Sequence, residues 1–281
     1  MTGGDRASSN SSCCWRVVAL VLPLLGSCVS VEHKIAPSTL SDAQIARLLG
    51  VAEAEWVRWG SMRAHGMPGN EVCLVVSDGS CQEVEDGCGQ EQTSALCPVV
   101  NEYWTQVREV FRHDCTRNDV CEWQWPGPEE PIRTHAWSAA FISAVMAEAD
   151  ISQSEFQRSH RHAVYVAAAR DGYASAYEVV PTPAAAVPGD LICAGRTAEN
   201  GAPSPIAPAT VRHIAAGVAM HCDVVVGIDP IHNTLESIGG NVNQTVAKTT
   251  VELDEKGRVA FDVDTGRKWA LVMRARRALP P

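Results

Sequence analysis

Three separated stretches of the chain carry residue types suited to acyl transfer. Residues 135–143, His-Ala-Trp-Ser-Ala-Ala-Phe-Ile-Ser, open an almost wholly apolar helical run that continues to about Ala149. A helix apolar on every side is a buried one. Ser138, its early polar residue, falls in the first turn, where unpaired backbone N–H groups and the positive end of the helix dipole stabilise developing negative charge. A lone serine there more often bonds its own backbone, but two later stretches change the weighting. Met220 to Val226 reads as a strand that puts His221 and Asp223 on one face and Cys222 on the other. Residues 238–246 read as a glycine turn, Gly239-Gly240, that delivers Asn241 just before another strand. A hydroxyl becomes a nucleophile only beside a base. The chemistry therefore requires folding to bring His221 against Ser138, with Asp223, on the same strand face, able to hold the imidazole.

The order Trp-Ser-Ala-Ala-Phe-Ile-Ser, then Pro-Gly-Asp-Leu-Ile-Cys-Ala-Gly-Arg (188–196), then His-Cys-Asp-Val-Val-Val, then Ile-Gly-Gly-Asn-Val resembles the bacterial DUF2272 family. Four motifs in the right order make the resemblance specific, and it covers roughly residues 45–275. The family is similar to the NlpC/P60 and CHAP group of papain-like cell-wall hydrolases, whose pattern runs Trp-Cys-Ala-Ala-Phe, Gly-Asp, Gly-His-Val, Gly-Gly-Asn. Position by position, the resemblance implies Ser138 as nucleophile, His221 as general base and Asn241 as its orienting residue. Serine stands where that pattern has cysteine. Phe156, Ser159, His162 and Tyr165, at three-residue spacing, are a further DUF2272-like feature. If their shared face lines a cleft, His162 and Tyr165 touch substrate with Trp137; otherwise they are packing residues. In the papain-like arrangement the strands holding Cys193 and Cys222 are neighbours, which implies a disulfide between them.

The elements that must position these residues follow from periodicity. Ser41-Asp42 caps a helix over Asp42 to Trp59, because Ile45, Leu48, Leu49, Ala52, Trp56 and Val57 recur at three and four. Residues 61–130 hold most of the cysteines and one amphipathic segment, Val99 to Phe111, and read as a cysteine-rich insertion braced by disulfides. A helix capped by Ser154 runs to about Arg170, and Pro181 to Pro188 is a linker. Short β-prone runs then follow at 189–193, 222–228, 234–238, 245–253, 259–263 and 269–273. Helices first and strands afterwards argue for an α+β domain with an antiparallel sheet. The resemblance makes it papain-like, with N-terminal helices and a buried central helix.

A formal charge of −10 without a basic cluster beyond Arg274-Ala275-Arg276-Arg277 argues against nucleic acid as a partner. Arg6 and Arg16 precede the apolar run Val17 to Leu25, and Leu25-Gly26-Ser27-Cys28 follows. Residues 1–27 thus read as a lipoprotein signal with Cys28 as the lipidated residue, 28–40 as a tether and 41–281 as the domain. A plain signal peptide or an uncleaved anchor is the alternative. Eight further cysteines remain, Cys73, Cys81, Cys88, Cys97, Cys115, Cys121, Cys193 and Cys222, an even number that suggests disulfides in an exported chain. The expectation is a lipid-anchored periplasmic hydrolase that cuts an amide in peptidoglycan and needs no metal or cofactor. A non-catalytic cell-wall-binding or scaffold lipoprotein is the alternative. A metal enzyme using His160, His162, His213, His221 and Asp223 is a third reading, unsupported by any strict ligand motif.

Overall fold

Ser41 opens the first helix by a reciprocal cap. Its hydroxyl accepts from the Gln44 N–H at 3.2 Å, while the Gln44 side chain accepts from the Ser41 N–H at 3.0 Å. The helix α1 (Asp42–Arg58) buries Ile45, Leu48 and Ala52. Three more α-helices follow among the described residues: α2 (Cys97–Trp104), α3 (Ser138–Glu148) and α4 (His162–Asp171). The computed structural model describes residues 37–66, 72–75, 81, 82, 90, 94–107, 115, 136–173, 176–196, 206–261 and 268–278. The signal, the tether up to residue 36, Cys28, Cys88 and Cys121 lie outside the described residues, as do the side chains of Cys73 and Cys81, while Leu40 at the end of the expected tether is buried and bonded to Arg276 and Ala278.

The strands are β1 (Met62–Gly66), β2 (Val72–Val75), β3 (Cys81–Gln82), β4 (Tyr177–Pro181), β5 (Leu191–Gly195), β6 (Met220–Asp229), β7 (Thr234–Val242), β8 (Thr245–Glu252) and β9 (Trp269–Ala275). They form one sheet in the order β3-β2-β1-β8-β7-β6-β5-β9-β4. The fold is α+β, and the sheet departs from the expected antiparallel one at a single junction, where β1 runs parallel to β8. The stretch expected as a cysteine-rich insertion contributes to both layers. Its first strands extend the main sheet, and α2 packs on α3. Cys97 is bonded to Cys115. Cys193 and Cys222, directly opposite each other on β5 and β6, form a second disulfide.

Helix α3 is where the layers meet. It touches α1, α2, β6 and β7, and Phe141, Ile142, Val145 and Met146 are fully buried. This is what its almost wholly apolar sequence demands. The other differences from the periodicity have local causes. The helix expected from Ser154 starts only at His162, because the backbone at Ser159 is bonded to the Ser143 hydroxyl through both its N–H (3.0 Å) and its carbonyl (2.9 Å), and Arg161 is extended. The expected linker is lashed down: Thr182 N–H bonds Ala270 O and Ala184 pairs with Val259. Gly239 and Gly240 sit inside β7, not in a turn.

Candidate functional site

Ser138 begins α3 and is held from behind by aromatic packing. Trp137, at the helix cap, is fully buried, with Trp59 stacked on it at 5.0 Å, Tyr103 at 5.7 Å and the Phe141 ring edge-on. These protein rings pack Trp137 into the core. Its burial fixes where the following hydroxyl points.

That hydroxyl meets His162. Ser138 Oγ lies 2.7 Å from His162 Nε2, and both side chains are buried. The imidazole expected there was His221; the residue found there is the one offered as a substrate contact. On its other side, His162 Nδ1 is hydrogen-bonded to the Tyr165 hydroxyl, one turn further along α4. Tyr165 rests on Phe156 at 4.7 Å. Burial, and then the nearby Asp223 carboxylate, raise the Tyr165 phenol well above its ordinary value.

His221 stands next to this pair, its ring centroid 5.5 Å from that of His162. Its Nε2 is 2.6 Å from Asp223 Oδ1, and Asp223 Oδ2 accepts from Ser237 Oγ at 3.3 Å. The alternation of β6 places His221 and Asp223 together, as the sequence suggests, while Cys222 takes the disulfide. Ser237 is a residue the sequence reading missed. Its signal is its place two positions before Gly239, on the same face of the strand.

The glycine pair makes room on both faces of β7. A Cβ on Gly239 would sit 2.7 Å from Asp223 Cγ and 3.0 Å from His221 Nε2, and one on Gly240 would sit 2.5 Å from Phe141 Cβ. One glycine thus admits the carboxylate and the other admits α3. Asn241 follows in a left-handed conformation, φ 55°, at a register shift before the β7–β8 turn. Among the described residues it has no hydrogen bond to His221; Asp223 holds that ring.

The Gly189-Asp190 motif does a different task. Gly189 has φ 98° and packs on Ile45. Asp190 accepts from the N–H groups of Val187 and Ala275, each at 2.9 Å. Burial holds its carboxyl above the ordinary value, against those N–H groups and Arg277 and Arg274. The motif therefore ties β5 to the end of β9, and Asp190 contacts none of the groups around Ser138. Among the described residues no group of three or more His, Cys, Asp or Glu is placed to hold a metal ion. Nor, among them, is any helix long and apolar enough to cross a membrane.

The class this defines is an α+β protein whose buried central helix presents a serine to one imidazole beside a second that a carboxylate holds. The chain belongs to the DUF2272 family, described as an uncharacterized protein conserved in bacteria, whose profile matches residues 91–275. Ser138, His162, Tyr165, His221, Asp223 and Ser237 all fall within that stretch. No curated protein and no solved structure matches the chain.

Proposed function

We propose that this is an exported, lipid-anchored amide hydrolase of papain-like arrangement that acts on peptidoglycan peptides with Ser138 as nucleophile. The observation that carries the reading is the 2.7 Å bond between Ser138 and His162 at the start of a buried helix, beside the His221–Asp223 pair. Attack on an amide carbonyl needs a proton acceptor, and His221 with Nε2 bonded to Asp223 has the geometry of a base whose tautomer is fixed. Its contact with the hydroxyl would close in the substrate complex, as catalytic hydrogen bonds often do. The disulfides Cys97–Cys115 and Cys193–Cys222 fit an oxidising compartment. The peptidoglycan substrate and the lipid at Cys28 rest on the resemblance to cell-wall hydrolases and on the amino-terminal sequence.

The test is incubation of the purified protein with a fluorophosphonate probe and, separately, with peptidoglycan sacculi. The expected result is labelling at Ser138 and release of soluble peptides with new amino groups, both abolished in Ser138→Ala. A second reading, a non-catalytic muropeptide-binding lipoprotein, is favoured by the burial of the site: Ser138 is 2% exposed, His221 3% and His162 4%. Sacculus binding without labelling or turnover would establish it in place of the first.

A further inference from the structure

The two imidazoles near Ser138 are held in opposite senses. An ionised carboxylate only accepts, so in the bond between His221 Nε2 and Asp223 the ring N–H donates. Neutral His221 then carries its lone pair on Nδ1. For His162 the sense is set by Tyr165. The phenol is buried, and among the described residues its hydrogen bond is to His162 Nδ1. If Nδ1 donated, the phenolic proton would be buried without an acceptor, at a cost of about 1–3 kcal/mol. If the phenol donates, both groups are satisfied. Burial and Asp223 both favour the protonated phenol. A neutral imidazole that accepts at Nδ1 carries its proton on Nε2. The contact with Ser138 is then an N–H donated to Oγ, and a nitrogen already holding a proton cannot take another.

We propose that Tyr165 fixes His162 as the Nε2-protonated tautomer, so that His162 serves the reaction as a hydrogen-bond donor to the oxyanion and His221 serves as the base. This rests on the reading of Ser138 as nucleophile and divides the work between the two rings. Ser138 Oγ bonds to the amide carbon as its proton passes to His221 Nδ1. The carbonyl π pair moves onto oxygen, which hangs from the same carbon as Oγ and so comes within reach of the His162 N–H. Collapse returns that pair, breaks the C–N bond and sends the proton from His221 out with the amine. Water then attacks the acyl-serine by the same exchange. His162 touches the reacting atoms, while Tyr165 is a positioning residue that acts through it.

The tautomer is read by long-range proton–nitrogen correlation spectra of the isotopically labelled protein. The expected result is a protonated Nε2 and a bare Nδ1 on His162, with the proton shared between the two nitrogens in Tyr165→Phe. A proton on Nδ1 of His162 in the unsubstituted protein overturns the proposal. The role is read by the rate of fluorophosphonate labelling. His162→Gln keeps an N–H but cannot accept a proton. It is expected to label within about tenfold of the unsubstituted rate, whereas His162→Leu falls by about 100-fold or more, the scale of a lost oxyanion donor. Equal collapse in both variants overturns the donor role in favour of a base. Absence of labelling in the unsubstituted protein overturns Ser138 as nucleophile, and the spectra still decide the arrangement of Tyr165 and His162.

Discussion

Gly239 on β7 leaves the space that the Asp223 carboxylate on β6 occupies. A single methyl group at residue 239 would lie 2.7 Å from Asp223 Cγ and 3.0 Å from His221 Nε2, closer than real Cβ contacts allow. Asp223 is fully buried and spans His221 and Ser237, so displacing it strains both bonds.

Gly239→Ala is therefore expected to break the His221–Asp223 bond and to abolish labelling of Ser138. Stability should fall by about 1–3 kcal/mol, as for other overpacked interiors. Labelling rate and urea unfolding of the same preparation measure the two effects. Unchanged labelling would mean that Asp223 does not orient the base.

Asn241 separates orientation from backbone conformation. At φ 55° glycine is at least as comfortable as asparagine, so Asn241→Gly removes the amide without adding strain. The expected outcome is labelling and sacculus digestion close to those of the unsubstituted protein. A loss comparable to that of Asp223→Ala would return the orienting role to Asn241.

The Cys193–Cys222 bond joins the two strands at the base of the site, and His221 and Asp223 flank one of its cysteines. Replacing both cysteines by alanine is expected to cost about 2–4 kcal/mol of stability. Thermal unfolding of the double variant measures this while Cys97–Cys115 stays intact.

Asp190 has a pH signature. Its folded carboxyl lies above the ordinary value, so the folded state binds the proton more tightly than the unfolded chain does. That contribution to stability is complete below the unfolded value and is lost as pH rises through the raised folded one. Asp190→Asn puts an NH2 group against one of the two N–H donors and should cost about 1–3 kcal/mol. Denaturant unfolding at a series of pH values should show the advantage of the unsubstituted protein greatest in acid and smaller towards neutrality.

Much of this fold is legible in the chain because local rules coincide with tertiary demands. Ser41 can cap only where Ile45 and Leu48 begin their spacing, and α3 is apolar because it is enclosed. The alternation through His221, Cys222 and Asp223 separates a site face from a disulfide face without any tertiary knowledge. What the chain does not disclose is pairing over distance. Ser143 diverts the backbone at Ser159 from helix, and that delays α4 until His162 opens it and meets Ser138. Spacing shows that His162 and Tyr165 are neighbours, yet carries no information about which serine they approach. Gly239-Gly240 has the composition of a turn, and only the presence of Asp223 on one side and Phe141 on the other shows why a strand must carry both.

Strand β9 has a consequence for the order of assembly. It pairs with both β4 and β5, its Ala275 N–H bonds Asp190, and the next residue accepts from Leu40. A polypeptide delivered amino end first can gather α1, α3 and β5 to β8 early, but β4 and one side of β5 wait for residues 269–275. Until then they offer unpaired edges to other chains. Nascent or shortened molecules that stop before Trp269 should accordingly be the ones that aggregate or fall to proteases, whatever the state of the serine.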